Sequence, residues 1–264
     1  MKNKSSLGRK TEWLLAALLV CVGARELRAD DCPSPWHCEP ILITMKIPDA
    51  RGLDATHEVS AQIRSGYLPE KSGPPFKGNV LFYEGLDDSM LNHSALFEKL
   101  SNTGYRVIAF DYMGQGGQGG STGNMDSTRI TDIPQIGTLA WNRHARDLQH
   151  FPGKTVIGWS TGGLAAYYAA YKGLVDKAVL VAPEIAASSA PGKNLSHFAL
   201  DLQDKGFQAR HAWKIPASVK GLALLPSDAS QEVRAAISAH APNFQLTELN
   251  EDPTDAILTF IQKP

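Results

Sequence analysis

The stretch Lys154–Gly173, KTVIGWSTGGLAAYYAAYKG, decides how this chain is read. Its first residues form a short, β-branched run that favours a strand. Gly158-Trp159-Ser160-Thr161-Gly162 is a tight turn, and Leu164–Tyr171 is an Ala- and Leu-rich helix former that Gly173 can stop. A strand that passes straight into a helix strains the residue at the corner, so the residues two before and two after it must be small. Both are Gly here. The corner residue is Ser160, whose hydroxyl such a turn lifts clear of its neighbours, and it is the candidate nucleophile.

Strand and helix signals alternate on both sides of this stretch. Upstream, Ile41–Ile47 and Glu58–Tyr67 predict two early strands, and Asn79–Tyr83 (NVLFY) predicts a buried third that ends in Glu84-Gly85-Leu86. A helix over His93–Asn102 places Leu96, Phe97 and Leu100 on one face. Tyr105–Phe110 is the next strand, ending in Asp111 before a glycine-rich loop, Gly114–Gly123, and a helix is expected from about Ile136 to Gln149. Downstream, strands are expected at Lys177–Val181, Lys220–Leu225 and Phe244–Leu249, with helices at Ser230–His240 and from about Pro253 to Gln262. This alternation predicts an α/β fold, a mostly parallel sheet with helices on both faces. Such sheets bind ligands beyond the carboxyl ends of their strands, where Leu86, Asp111, Ser160, Glu184 and Asp228 all fall.

Composition bounds the function. Lys2, Lys4, Arg9 and Lys10 precede an apolar run from Trp13 to Ala24, followed by Leu27-Arg28-Ala29, the layout of a secretory signal peptide. The run is short of the roughly 20 residues that span a bilayer. The expected organisation is a signal peptide at 1–29, cleaved after Ala29, and one domain at 30–264 in a secreted or periplasmic protein without a stable membrane span; the alternative is an uncleaved signal serving as an anchor. Losing residues 1–29 removes six basic and two acidic groups, turning 26 basic against 27 acidic residues into 20 against 25. With no concentrated cationic face, nucleic acid is not an expected partner. Export also makes a disulfide the simplest fate of Cys32 and Cys38, the two cysteines left after processing.

Taken together, the segments FYEGLDDS (Phe82–Ser89), GYRVIAFDYMGQGGQGGS (Gly104–Ser121), GWSTGG (Gly158–Gly163), KAVLVAP (Lys177–Pro183) and GLALLPSD (Gly221–Asp228) resemble the alpha/beta-hydrolase family, in its lysophospholipase and esterase-like branch. The resemblance spans most of residues 41–262. It implies a sheet of about eight strands, a short cap region between Pro183 and Lys220, and hydrolysis of a small-molecule ester or related acyl compound through an acyl-enzyme; no cofactor or metal is expected, because the chain shows no metal cluster or dinucleotide motif. By position it implies Ser160 as nucleophile, the backbone N–H groups of Leu86 and Thr161 as oxyanion hole, and Asp228 as the acid that orients a histidine, with Glu184 as alternative acid. Glu84 stands where most relatives carry histidine.

One expected residue is missing. The family's catalytic histidine follows the last strand, where this chain reads Glu248-Leu249-Asn250-Glu251-Asp252-Pro253. A serine hydroxyl is a poor nucleophile without an adjacent base. Six histidines fall in the wrong places: His37 and His57 in the N-terminal region, His144 and His150 before the serine strand, and His211 and His240 on the far side of the sheet. That leaves His93 and His197 as candidate bases, with Glu251 or Asp252 as a carboxylate in the vacant position. Tyr83, Tyr112, Met113, Trp159 and Trp213 are candidate pocket-lining residues. The leading expectation is a serine hydrolase; the alternative is a catalytically silent binding protein of the same fold.

Overall fold

The computed structural model describes residues 32–48, 56–117, 120–186 and 197–263. The expected signal peptide lies outside these residues, as do residues 187–196 of the cap region. Eight strands form one sheet: β1 (His37–Pro48), β2 (Thr56–Leu68), β3 (Gly78–Tyr83), β4 (Tyr105–Phe110), β5 (Thr155–Trp159), β6 (Lys177–Val181), β7 (Lys220–Leu225) and β8 (Phe244–Glu248). Their order is β1-β2-β4-β3-β5-β6-β7-β8. β2 runs antiparallel to both β1 and β4, and the other pairs are parallel.

Six helices complete the described fold: α1 (Ser94–Asn102), α2 (Ile133–His144), α3 (Thr161–Tyr171), α4 (His197–His211), α5 (Gln231–His240) and α6 (Thr254–Gln262). Two apolar clusters flank the sheet. One gathers Leu81, Ile108, Val156, Leu164, Tyr167 and Leu180 against α2 and α3; the other gathers Val80, Phe82, Phe97, Val107, Ile157 and Phe260 against α1 and α6. Because both faces are covered, the central strands are apolar at consecutive positions rather than alternate ones, and each side chain so buried contributes roughly 1.5–3 kcal/mol.

The α2 helix starts and ends earlier than its expected span of about Ile136 to Gln149. Pro134 in its first turn needs no N–H partner there, and Ala145 turns extended with its N–H on Trp141 O at 2.9 Å. Its last residue, His144, is buried, with Nε2 2.9 Å from Ser65 Oγ; burial drives its pKa down to about 4. Cys32 and Cys38 form the expected disulfide, beside the start of β1.

Candidate active site

Ser160 sits between β5 and α3 with φ 51° and ψ −114°, a left-handed conformation that costs a non-glycine residue about 1–3 kcal/mol. Surrounding bonds hold it there. Ser160 N donates to Val181 O at 2.8 Å, while Ser160 O accepts from Gly163 N (2.9 Å), Leu164 N (3.3 Å) and Glu184 N (3.2 Å). The two flanking glycines have separate steric reasons. A Cβ on Gly158 would run into Gly162 O, and one on Gly162 would run into Tyr83 O and Glu84 O. Close approach of the first turn of α3 excludes a side chain at Gly158, and close approach of the end of β3 excludes one at Gly162.

The serine hydroxyl has one partner among the described residues, donating to Glu184 Oε1 at 3.0 Å. The route of the chain after β6 produces this contact. Ala182 adopts φ 44° with its N–H on Leu224 O at 2.9 Å, and Pro183 packs against Gly163, so the chain turns back and lays the short 3-10 turn Glu184–Ala186 over the elbow. Sequence position singled out Glu184 only as a spare acid to orient a histidine, whereas the fold sets it directly on the nucleophile.

The second wall is the loop after β3. Gly85 lies against the elbow: a Cβ built on it would be 3.5 Å from Ser160 Cβ and 3.7 Å from Asp88 Oδ2. Leu86 and Asp87 form a turn with Asp87 at φ 58°, a left-handed position that Asp tolerates better than most residues. The backbone N–H of Leu86 and that of Thr161 have no acceptor among the described residues. Thr161 is the first residue of α3, where N–H groups have no intrahelical partner.

Behind this turn, Asp88 acts as a hub. Its carboxylate accepts from Ser89 N at 2.8 Å and Asn92 Nδ2 at 2.8 Å and lies 2.6 Å from His93 Nε2. Burial alone would raise the Asp88 pKa, yet hydrogen bonds from His93, the Ser89 N–H and the Asn92 amide, with the electrostatic pull of His93, outweigh it and hold it at about 2. The His93 ring is packed by Phe82 (4.7 Å), Trp159 (4.9 Å) and Phe97 (5.9 Å, centroid distances). His93 is therefore beside the elbow, in contact with the residue preceding the serine, and its hydrogen bond goes to Asp88.

The remaining candidates stand apart. Asp228 is exposed in the loop after β7 with no hydrogen-bond or ion-pair partner among the described residues. His197 opens α4, and its side chain lies outside the described residues. Asp252 is exposed and bonds to Lys99 Nζ (3.2 Å) and Thr254 N (2.9 Å), at the start of α6 rather than at the serine, and Glu251 is exposed. Of the candidate lining residues, Tyr83, Tyr112, Met113 and Trp213 are buried in the apolar core; Trp159 is half-buried. Among the described residues no group of three or more His, Cys, Asp or Glu could hold a metal ion, and no helix is long and apolar enough to cross a membrane.

A mostly parallel sheet with a strained serine between its fifth strand and the next helix is the arrangement of an alpha/beta hydrolase. Residues 74–244, more than half of the chain, match the family described as serine aminopeptidase, S33, and the chain belongs to that family. No curated protein matches the sequence. Three solved structures share the fold. Est1E from Butyrivibrio proteoclasticus with ferulic acid bound is 13% identical at a TM-score of 0.56, over 82% of this chain and 97% of that one. The monoacylglycerol lipase of Paleococcus ferrophilus is 16% identical at 0.58, over 75% and 98%. A soluble variant of the Saccharomyces cerevisiae monoglyceride lipase, in complex with a substrate analogue, is 12% identical at 0.58, over 87% and 97%.

Proposed function

We propose that this protein is an exported serine hydrolase that cleaves an ester or related acyl compound through an acyl-enzyme on Ser160, with Glu184 accepting the serine proton. The observation that carries this reading is the 3.0 Å hydrogen bond from Ser160 Oγ to Glu184 Oε1 at a strained elbow. In the first half-reaction Ser160 Oγ bonds to the acyl carbon as its proton moves to Glu184. The N–H groups of Leu86 and Thr161 receive the developing oxyanion. Collapse of the tetrahedral intermediate breaks the bond to the alcohol, which leaves with the proton from Glu184. Water then attacks the acyl carbon as its proton moves to the same carboxylate, the bond from that carbon to Ser160 Oγ breaks, the proton returns to Oγ and the acid product leaves. The esterase and lipases that share this fold support an ester as the substrate class. Export rests on the charged and apolar layout of residues 1–29, and sequencing the mature N-terminus tests it, with a start at Asp30 expected and retention of Met1 on the exported protein counting against cleavage.

A carboxylate is a weaker base than imidazole unless its surroundings raise its proton affinity, so slow turnover follows from this pairing. A second reading, a binding protein of the same fold without catalysis, is favoured by one observation: among the described residues no histidine nitrogen is hydrogen-bonded to Ser160. Labelling of the purified protein with a fluorophosphonate separates the two. Covalent capture that falls at least about 1,000-fold in Ser160→Ala is expected for the hydrolase. Equal labelling of both proteins, or none of either, decides for the binder.

A further inference from the structure

The residues beneath the oxyanion loop form a buried polar cluster that the acyl-transfer steps do not use. Glu84 has no solvent exposure. Its Oε1 accepts from Tyr112 N at 2.8 Å, its backbone oxygen accepts from Tyr112 Oη at 2.6 Å, and its Oε2 is buried without a donor. The Glu84 carboxyl lies within hydrogen-bonding reach of that of Asp111. Two carboxyl groups bond to each other only when a proton lies between them. Asp111 is the ionised member, because Arg64 Nε, Ser89 Oγ (3.2 Å) and Met90 N (2.8 Å) all donate to it. Glu84 receives fewer donors, none of them charged, and is the member that keeps the proton.

This pair grips residues 84–90 at both ends. Glu84 is the first residue of the loop, and Asp111 holds Ser89 and Met90 at its close. Arg64 reinforces the far end, donating from Nη2 to Ser89 Oγ and Gly116 O, each at 3.0 Å. Gln115 reaches the middle: with its amide oriented to satisfy both atoms, it donates to Glu84 Oε1 (3.3 Å) and accepts from Asp87 N (3.1 Å), next to Leu86.

We propose that Glu84 is a positioning residue: as a neutral acid bonded to Asp111, it ties the two ends of the oxyanion loop together and so sets the Leu86 N–H against Ser160. The inference rests on the reading of Ser160 as nucleophile. Burial first, then the charge of Asp111 and more weakly that of Asp88, push the Glu84 pKa well above the usual carboxylate range against the Tyr112 N–H. The ionisable groups facing it are Asp111 and Tyr112 after β4, Arg64 from β2 through Asp111, Asp88 from the loop, and Tyr83 on its own strand. Burial raises both tyrosine phenols as well, so neither competes as an anion. When alkali removes the Glu84 proton, two buried carboxylates repel and the loop loses its anchor.

The test is the rate of Ser160 phosphonylation against pH for the wild type, Glu84→Gln and Glu84→Ala, beside infrared spectra of the same proteins. Glutamine reproduces a protonated glutamate, donating to Asp111 while accepting from Tyr112 N. The expected result is an alkaline fall in the wild-type rate that Glu84→Gln abolishes while keeping the neutral-pH rate within about three-fold, and a loss of about 10- to 100-fold in Glu84→Ala. A protonated-carboxyl band lost in Glu84→Gln, and faster amide hydrogen exchange at residues 85–90 in Glu84→Ala, are expected whether or not Ser160 reacts. Those two readouts without labelling would sink the nucleophile reading and leave the clamp. Absence of the band, an unchanged alkaline fall in Glu84→Gln, or a wild-type rate in folded Glu84→Ala would overturn the clamp.

Discussion

On either side of Ser160 stands half of the usual catalytic arrangement. On the β6 side a carboxylate, Glu184, touches the serine hydroxyl at 3.0 Å with no imidazole between them. On the β3 side an imidazole, His93, bonds to a carboxylate, Asp88, at 2.6 Å and packs on Trp159, while the serine hydroxyl's partner among the described residues is Glu184. Each pair alone would look like part of a triad. Their difference shows that proximity to a nucleophile and the power to deprotonate it are separate properties: the first side touches the proton, while the second is spent on holding a loop.

The strongest challenge to this division is Glu184→Ala, which removes the group bonded to Ser160 Oγ. A loss of roughly 100- to 1,000-fold in phosphonylation is expected, with Glu184→Gln equally slow because an amide cannot take a proton. Undiminished reaction in both variants would move the base elsewhere. His93→Ala comes next. Loosening the loop by a fraction of an ångström should cost about 10-fold, below the 100-fold that a full 1 Å error can cost. A loss in His93→Ala as large as in Glu184→Ala would reverse the comparison and make the imidazole the base.

Acid provides a finer probe of the β3 side. The folded Asp88 value of about 2 lies below its ordinary 3.8, so its contribution to stability is complete above 3.8 and is lost as the pH falls through about 2. Denaturant titrations in this window should show a loss in the wild type that Asp88→Asn lacks, and parallel curves would refute the hub. Asp88 also remains ionised throughout mildly acidic conditions, so a fall in the phosphonylation rate there belongs to another group. The smallest effect is expected at Asp228, which is exposed and unpartnered among the described residues. Asp228→Asn should leave the rate within about two-fold, as surface changes usually do; a drop beyond ten-fold would restore it as the supporting acid.

Several of these relationships were legible in the chain before its fold. The runs NVLFY, YRVIAF and KAVLV announced buried parallel strands, because a strand covered on both faces is apolar at consecutive positions rather than alternate ones. Glycines two residues to either side of Ser160 announced the elbow, and the lack of histidine after β8 is visible by inspection. Tyr83, Tyr112, Met113 and Trp213 were less legible. Their residue types suit a pocket and a core equally, and only packing assigns them to the core.

The sequence by itself determined the parallel sheet, the strained serine and the vacancy after the last strand, since each follows from local size, branching and spacing. Tertiary structure alone decided what meets that serine. Glu184 is 24 residues further along the chain and reaches Ser160 Oγ only because β6 pairs with β5 and turns back at Ala182. Glu84 and Asp111 come together because β3 and β4 are neighbours in the sheet. Contacts of this kind depend on strand order and on burial, which removes water as the competing partner, and neither is encoded in any single stretch of residues.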